Sequence, residues 1–394
     1  MRLALLHLAL VAITVVAAQN VQVPFGRPMD TYPGFDLDLN ELRWVILEGQ
    51  PPALMTELEK IELKAQGIKF FDVTETPDLG KLSHLRAAAK PTYPSPHQEE
   101  LVKPVLETLN IENLKKGLST FSSFRTRYYR SDTGKQSQEW LLSTIQNITS
   151  VYASPSLKEL ITIQEFPHTW AQSTVIARIN GSSYTDDGVV IIGAHLDRFL
   201  PSTNTWPFLP APGADDDGSG SMSILESYRA LLAADFHPER AVEFHWYSAE
   251  EPGLLGSQAV AQDYERRGVN VIAMSQFDMT AWVKKGTREE VGIIVDYTDS
   301  ALTDLNKQLV ETYLTIPFVE TKCGYACSDH ASWSKAGYPS IFTIESSFEN
   351  NNNHIHGTSD RIDVSDEFSF SHMLEFSKLA VGFAVELGGW VKTK

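Results

Sequence analysis

Residues 189–197 read VVIIGAHLD: a run of apolar, mostly β-branched residues that ends abruptly in an imidazole and a carboxylate. A run without polar alternation suits a strand buried on both faces, as in a parallel sheet covered by helices. The run itself is Val189–Ile192, and similar runs recur downstream at Ala241–Trp246, Val269–Gln276, Val291–Val295 and Ser340–Ile344. Helical patterns lie between them at Ser219–Ala234, Leu254–Arg267, Ser300–Leu314 and Ser371–Leu387, and ahead of them at Leu101–Phe124 and Gln136–Gln146. In Ser219–Ala234, Met222, Leu225, Tyr228, Leu231 and Leu232 form an apolar stripe, with Glu226 and Arg229 expected on the opposite face. Strand–helix alternation predicts an α/β domain with a mostly parallel central sheet flanked by helices.

In open α/β sheets, function gathers just past the carboxyl ends of the strands. Here those ends carry acids and imidazoles: His195 and Asp197 after the first run, Asp215-Asp216-Asp217 at the mouth of a helix, Glu250-Glu251 after the second run, Asp278 after the third, and His354 and His356 in a late loop. A single acid in such a place is unremarkable, and Asp215–Asp217 alone reads as a helix cap. The set carries the weight, because like charges crowded at one sheet edge repel unless cations compensate them. Mixed imidazole and carboxylate donors suit zinc. Neither an HExxH helix nor a G-x-S-x-G elbow occurs.

The other end of the chain speaks to its route. Arg2 precedes an apolar stretch, Leu3–Ala18, shorter than a bilayer span and closed by Val16 and Ala18 at the small-residue positions of a cleavage site. Residues 1–18 are therefore expected to be a signal peptide and the protein to be secreted. Residues 19–88 are rich in proline and acids, with a short amphipathic stretch around Leu54–Ile68, and lead into the loose run AAAKPTYPSP, residues 87–96. They are expected to be a propeptide ahead of a catalytic domain, residues 89–394. Asn147 and Asn180 head glycosylation sequons. Cys323 and Cys327 are the only two cysteines, and in an oxidising compartment they are expected to form a local disulfide. A net charge of −17 over 394 residues excludes a basic footprint for nucleic acid or anionic membrane.

In order along the chain, HLD, GADDDGSG, AEEPGLLGS, FDMT, CGYACSDHASW and HIHGTSD resemble the M28 family of metallopeptidases, in its secreted leucyl aminopeptidase branch, over roughly residues 90–394. The resemblance implies two zinc ions per subunit. His195 and Asp278 would hold one, Glu251 and His356 the other, and Asp216 would bridge them, with a cis peptide joining Asp216 to Asp217. His354 is the rival of His356, which the family's final motif favours. Asp197 would orient His195, Glu250 would serve as general base and acid, and Tyr325 would donate to the oxyanion beside a rigid Cys323–Cys327 loop. Met279, Ile294, Phe348 and Ile355 would line a pocket for leucine-like side chains, though the Asn350–Asn353 run stands where bacterial relatives carry an aromatic residue. The implied activity is removal of N-terminal residues from peptides with a free amino terminus, by a monomer; its own propeptide is expected to hold it inactive, because an active peptidase in the secretory pathway is hazardous. The alternatives on the same fold are a glutaminyl cyclase, a carboxypeptidase and a non-catalytic binding module.

Overall fold

A computed structural model describes residues 34–87, 91–183, 188–198 and 210–391. The expected signal peptide lies outside these residues, as do residues 19–33 and 88 of the expected propeptide. Among the described residues no helix is long and apolar enough to cross a membrane.

Among the described residues eleven strands form two sheets: β1 (Leu42–Leu47), β2 (Ala53–Thr56), β3 (Phe70–Asp72), β4 (Ile161–Phe166), β5 (Thr174–Ile179), β6 (Val189–His195), β7 (Ala241–Tyr247), β8 (Val271–Phe277), β9 (Val291–Ile294), β10 (Phe318–Thr321) and β11 (Ser340–Ile344). The large sheet has the order β10-β9-β11-β8-β6-β7-β5-β4. Its centre, β11-β8-β6-β7, is parallel, as is β10-β9, whereas the pairings of β11 with β9, β7 with β5, and β5 with β4 are antiparallel. The expected parallel core is present, with antiparallel strands toward its edges.

Burial along β6 explains its unbroken apolar run. Val190, Ile192 and Ala194 pack on one side against helices Gly218–Ala233 and Phe370–Gly388, while Val189 and Ile191 pack on the other with Val260, Tyr264 and Trp333. Both pleat directions therefore reach core. Three expectations change. Leu101–Phe124 is two helices, Glu99–Leu106 and Ile111–Phe121, because the second starts afresh at Asn110, whose side chain accepts from Glu112 N. The polar face expected on the Gly218–Ala233 helix is buried too: Glu226 pairs with Arg229 at 2.8 Å and accepts from Asn110 N and Asn113 Nδ2 of the neighbouring helix. Strands β4, β5 and β10 had no counterpart in the sequence reading.

Residues 34–87 form an N-terminal module, the antiparallel sheet β2-β1-β3 and a helix, Glu57–Ala65. The expected amphipathic stretch resolves into β2 and this helix, whose start is fixed by a capping box: Thr56 Oγ1 accepts from Glu59 N, and Glu59 Oε2 accepts from Thr56 N. Its buried face is Glu57, Lys60, Ile61 and Lys64. Burying charge requires partners. Lys60 and Arg43 both bond Asp72 Oδ2 at 2.9 Å, and Lys60 also pairs with Glu57.

Candidate metal centre

The central strands β6, β7 and β8 end at one edge, and carboxylates bind their ends together through backbone N–H groups. Asp197, just past β6, accepts from Glu250 N and Glu251 N, which follow β7. Asp217 accepts from His195 N with one oxygen and from Gly220 N and Met279 N with the other. Asp360 accepts from Asp215 N (2.9 Å) and Asp216 N (3.2 Å). The peptide between Asp216 and Asp217 is cis. Ala249, Leu254, Met279 and His356 adopt left-handed backbone, which non-glycine residues hold only where surroundings impose it.

Within this frame two groups of ligand atoms face each other: His195, Asp217 and Asp278, and Asp216, Glu251 and His356. Asp217 belongs to the first by distance alone, since its oxygens already accept three backbone N–H groups. Asp216 takes its place. Its Oδ1 lies 3.2 Å from His195 Nε2, and its Oδ2 lies 3.2 Å from His356 Nε2. His195 Nε2 is 3.6 Å from Asp278 Oδ1, and His356 Nε2 is 3.4 Å from Glu251 Oε2. His354 turns elsewhere, its ring against Trp282 and its N–H bonded to Asn352 Oδ1.

The donor set fits divalent cations. His195 Nε2 and Asp278 Oδ1 are buried without a hydrogen-bond partner, while Ser328 Oγ occupies the other Asp278 oxygen. Buried orphans of this kind, aimed at one another, are what a cation would satisfy. Imidazole and carboxylate together suit zinc. His195 Nδ1 meets Asp197 O at 3.2 Å and Asp197 Oδ1 at 3.4 Å, leaving Nε2 for the centre.

Burial would by itself push Asp216, Glu250 and Glu251 toward protonation. For Asp216 that push is outweighed by Arg198, His195 and His356, which hold it well below the usual range. Glu251 is held low against its burial mainly by Lys64, with His356 and Arg198 adding to it. Glu250 goes the other way, its burial raising it well above the carboxylate range despite His195 and Lys64. Neighbouring carboxylates thus hold opposite tendencies, the pattern of an acid–base group beside ligands.

Beside the centre lies an apolar cluster of Met279, Ile294, Phe342, Ile344 and Cys323, with Tyr325, Phe348 and Ile355 packed against it. All four residues expected to line a side-chain pocket are in it. Cys323 and Cys327 are disulfide-bonded around Tyr325. Asn147 is exposed on the helix Asp132–Tyr152, and Asn180 directly follows β5 with its amide nitrogen bonded to Leu160 O.

Several residues at this centre had no part in the sequence reading. Arg198 is fully buried, with Nη1 2.5 Å from Glu251 Oε1 and 3.4 Å from Asp216 Oδ2. Asp360 was present only as the last letter of HIHGTSD. Asn352 sits inside the Asn350–Asn353 run read as a plain loop, yet it is buried and donates to Asp215 Oδ2. Lys64 of the N-terminal module lies 2.8 Å from Glu251 Oε2; only its position on an amphipathic helix hinted at burial.

The family model for Peptidase family M28 matches residues 174–380. Leucine aminopeptidase 1 of Colletotrichum graminicola is 47% identical over 93% of this chain and 88% of its own length, and that of Coccidioides posadasii is 43% identical over 98% of each. The crystal structure of the Legionella pneumophila LapA aminopeptidase superposes with a TM-score of 0.75 at 29% identity, covering 89% of this chain and 99% of that one. A glutaminyl cyclase from Porphyromonas gingivalis, at 16% identity and a TM-score of 0.55, shares the fold. On the matched residues and these relatives, the chain belongs to peptidase family M28.

Proposed function

We propose that the protein is a secreted zinc aminopeptidase, made as a precursor and active as a monomer, that removes leucine and similar hydrophobic residues from the free amino termini of peptides. The observation that carries this reading is Asp216, one carboxylate with an oxygen toward each of two ligand groups. A single-metal cyclase needs no such shared ligand. His195, Asp278 and Asp216 would hold one zinc ion and Glu251, His356 and Asp216 a second, and bound zinc supplies Lewis acidity and lowers the pKa of water.

The chain's own groups account for the rest. Glu250 accepts the proton of the attacking water and passes it to the leaving amine, a task its raised proton affinity suits. The Tyr325 hydroxyl, kept neutral because burial raises its pKa, donates to the oxyanion. Asp197 holds His195 and the Glu250–Glu251 backbone in register. The cluster around Met279, Ile294, Phe348 and Ile355 receives an apolar side chain. The leucine preference rests on this cluster and on the names of the relatives. The signal-like residues 1–18 and the disulfide support secretion.

The test is turnover of a leucyl chromogenic amide and its N-acetylated twin by processed enzyme, before and after chelation. Cleavage of the free amine alone, lost on chelation and restored by zinc, is expected. Equal cleavage of both, or cleavage indifferent to chelation, would refute the reading.

A further inference from the structure

The N-terminal module grips the loop that carries Glu250 and Glu251. Asp72 N donates to Gly253 O at 3.1 Å, and Gln258 Nε2 donates to both Asp72 O and Gly253 O. Gly253 has φ +112°, and a Cβ there would lie 2.7 Å from Asp72 N, so the module and the loop meet backbone to backbone. Farther along, Gly80 N and Leu82 N donate to Glu265 of the helix Leu255–Arg267. Leu39 and Ile61 pack into one apolar cluster with Tyr128, Tyr129, Trp170, Ala249 and Leu255.

From this seat the helix Glu57–Ala65 delivers Lys64 onto Glu251. Glu251 is met by two cations on its two oxygens: Arg198 at Oε1 (2.5 Å), and Lys64 at Oε2 (2.8 Å). Oε2 is the oxygen that faces His356 Nε2 and, through it, the outer oxygen of Asp216. Arg198 belongs to the catalytic body, whereas Lys64 leaves with the module.

We propose that Lys64 is an internal stand-in for the second metal ion: its ammonium occupies the cation position built by Asp216, Glu251 and His356, so the precursor binds one divalent ion at His195, Asp278 and Asp216 and gains the second when the module departs. This rests on the two-metal reading above. The charge argument is direct. A divalent ion and an ammonium cannot both sit within contact distance of one carboxylate oxygen in a buried site without strong repulsion. A buried lysine has no room to retreat, and Lys64 is only 8% exposed. Lys69, over the Tyr325 ring at 5.4 Å, adds a second positive charge to the same mouth.

The experiment compares zinc binding, by competition with a chromophoric chelator and by elemental analysis after dialysis, for three proteins: the full chain, the processed chain, and the full chain carrying Lys64→Gln. Two tight equivalents are expected for the processed chain. The full chain should hold one, with the second weakened on the order of 100-fold or more. Lys64→Gln should recover the second equivalent with the module still attached, while Lys64→Arg should not. A full chain that binds both ions as tightly as processed enzyme overturns the proposal, as does a Lys64→Gln chain that binds no better than the full chain. A processed chain that binds only one ion overturns the two-metal reading itself. Should Lys64→Gln fail to fold, the comparison of full and processed chains still decides.

Discussion

At the scale of single residues, the site is organised less by the ligands than by the carboxylates behind them. Asp197, Asp217 and Asp360 each spend their oxygens on backbone N–H groups of other segments, which sets the positions of His195, Glu250, Glu251 and Asp216. Glu250 stands apart, adjacent to a ligand and buried with its proton affinity raised. Glu250→Gln keeps the shape and removes the proposed base, so kcat should fall by on the order of 10²–10⁴ while KM and bound metal stay unchanged. Steady-state kinetics with elemental analysis checks this, and loss of metal would instead make Glu250 a ligand. Asn352 supports the last loop from both sides, donating to Asp215 Oδ2 and accepting from His354 N, two residues before His356. Asn352→Ala leaves a buried carboxylate oxygen and an N–H unpaired, so a loss of about 1–3 kcal/mol in urea denaturation is expected, with kcat/KM falling as His356 loosens. Unchanged stability would mean that solvent reaches the gap.

At the scale of elements, what the sequence disclosed follows from burial. Strands β6, β7, β9 and β11 are buried at every position and β8 at all but Ile272, so their apolar runs were legible to within a few residues. β4 is an edge strand with polar residues at half its positions, and β10 is four residues long, so neither left a pattern. The Glu226–Arg229 face was misplaced because a salt bridge satisfied within the core carries the same letters as a solvated one. The residues proposed as ligands stood out as candidates because they sit at strand ends or in a late loop, in short, dense motifs. Arg198, Asn352 and Lys64 were not, since their roles exist only once distant segments meet. The N-terminal sheet shows the same limit, its core being the ionic knot of Arg43, Lys60 and Asp72. Burial alone would raise Asp72, but Lys60 and Arg43 outweigh it and hold its pKa down to about 2, against an ordinary 3.8. A depressed pKa contributes stability that is fully present above the unfolded value and lost as pH falls through the folded one. The knot should therefore hold at pH 5 and lose on the order of 2 kcal/mol as pH drops from about 4 to about 2. Hydrogen exchange of residues 42–72 at pH 5 and pH 2.5 measures this, and Asp72→Asn should remove most of the difference.

For the whole molecule, on the proposed reading of residues 34–87 as part of a propeptide, the question is what activates the precursor. Among the described residues, these contacts seat the module noncovalently, and none of them is made by residues 91–96: the apolar cluster around Ile61, the Asp72–Gly253 pairing, the Glu265 bonds and the Lys64–Glu251 pair. Cutting the chain in that linker removes none of them. It changes only the effective concentration of the module, which a covalent tether keeps in the millimolar range. A nicked precursor at micromolar protein should thus remain assembled and inactive, with activity appearing as the module dissociates on dilution or is digested. A specific protease site placed at residues 91–96 tests this: size-exclusion chromatography should show the nicked pair co-eluting, and turnover of a leucyl amide should lag cleavage, then follow loss of the module. Full activity at the instant of cleavage, with both pieces still together, would show that the tether and not the seat restrains the enzyme, and that residues 34–87 leave the metal centre open once the chain is cut.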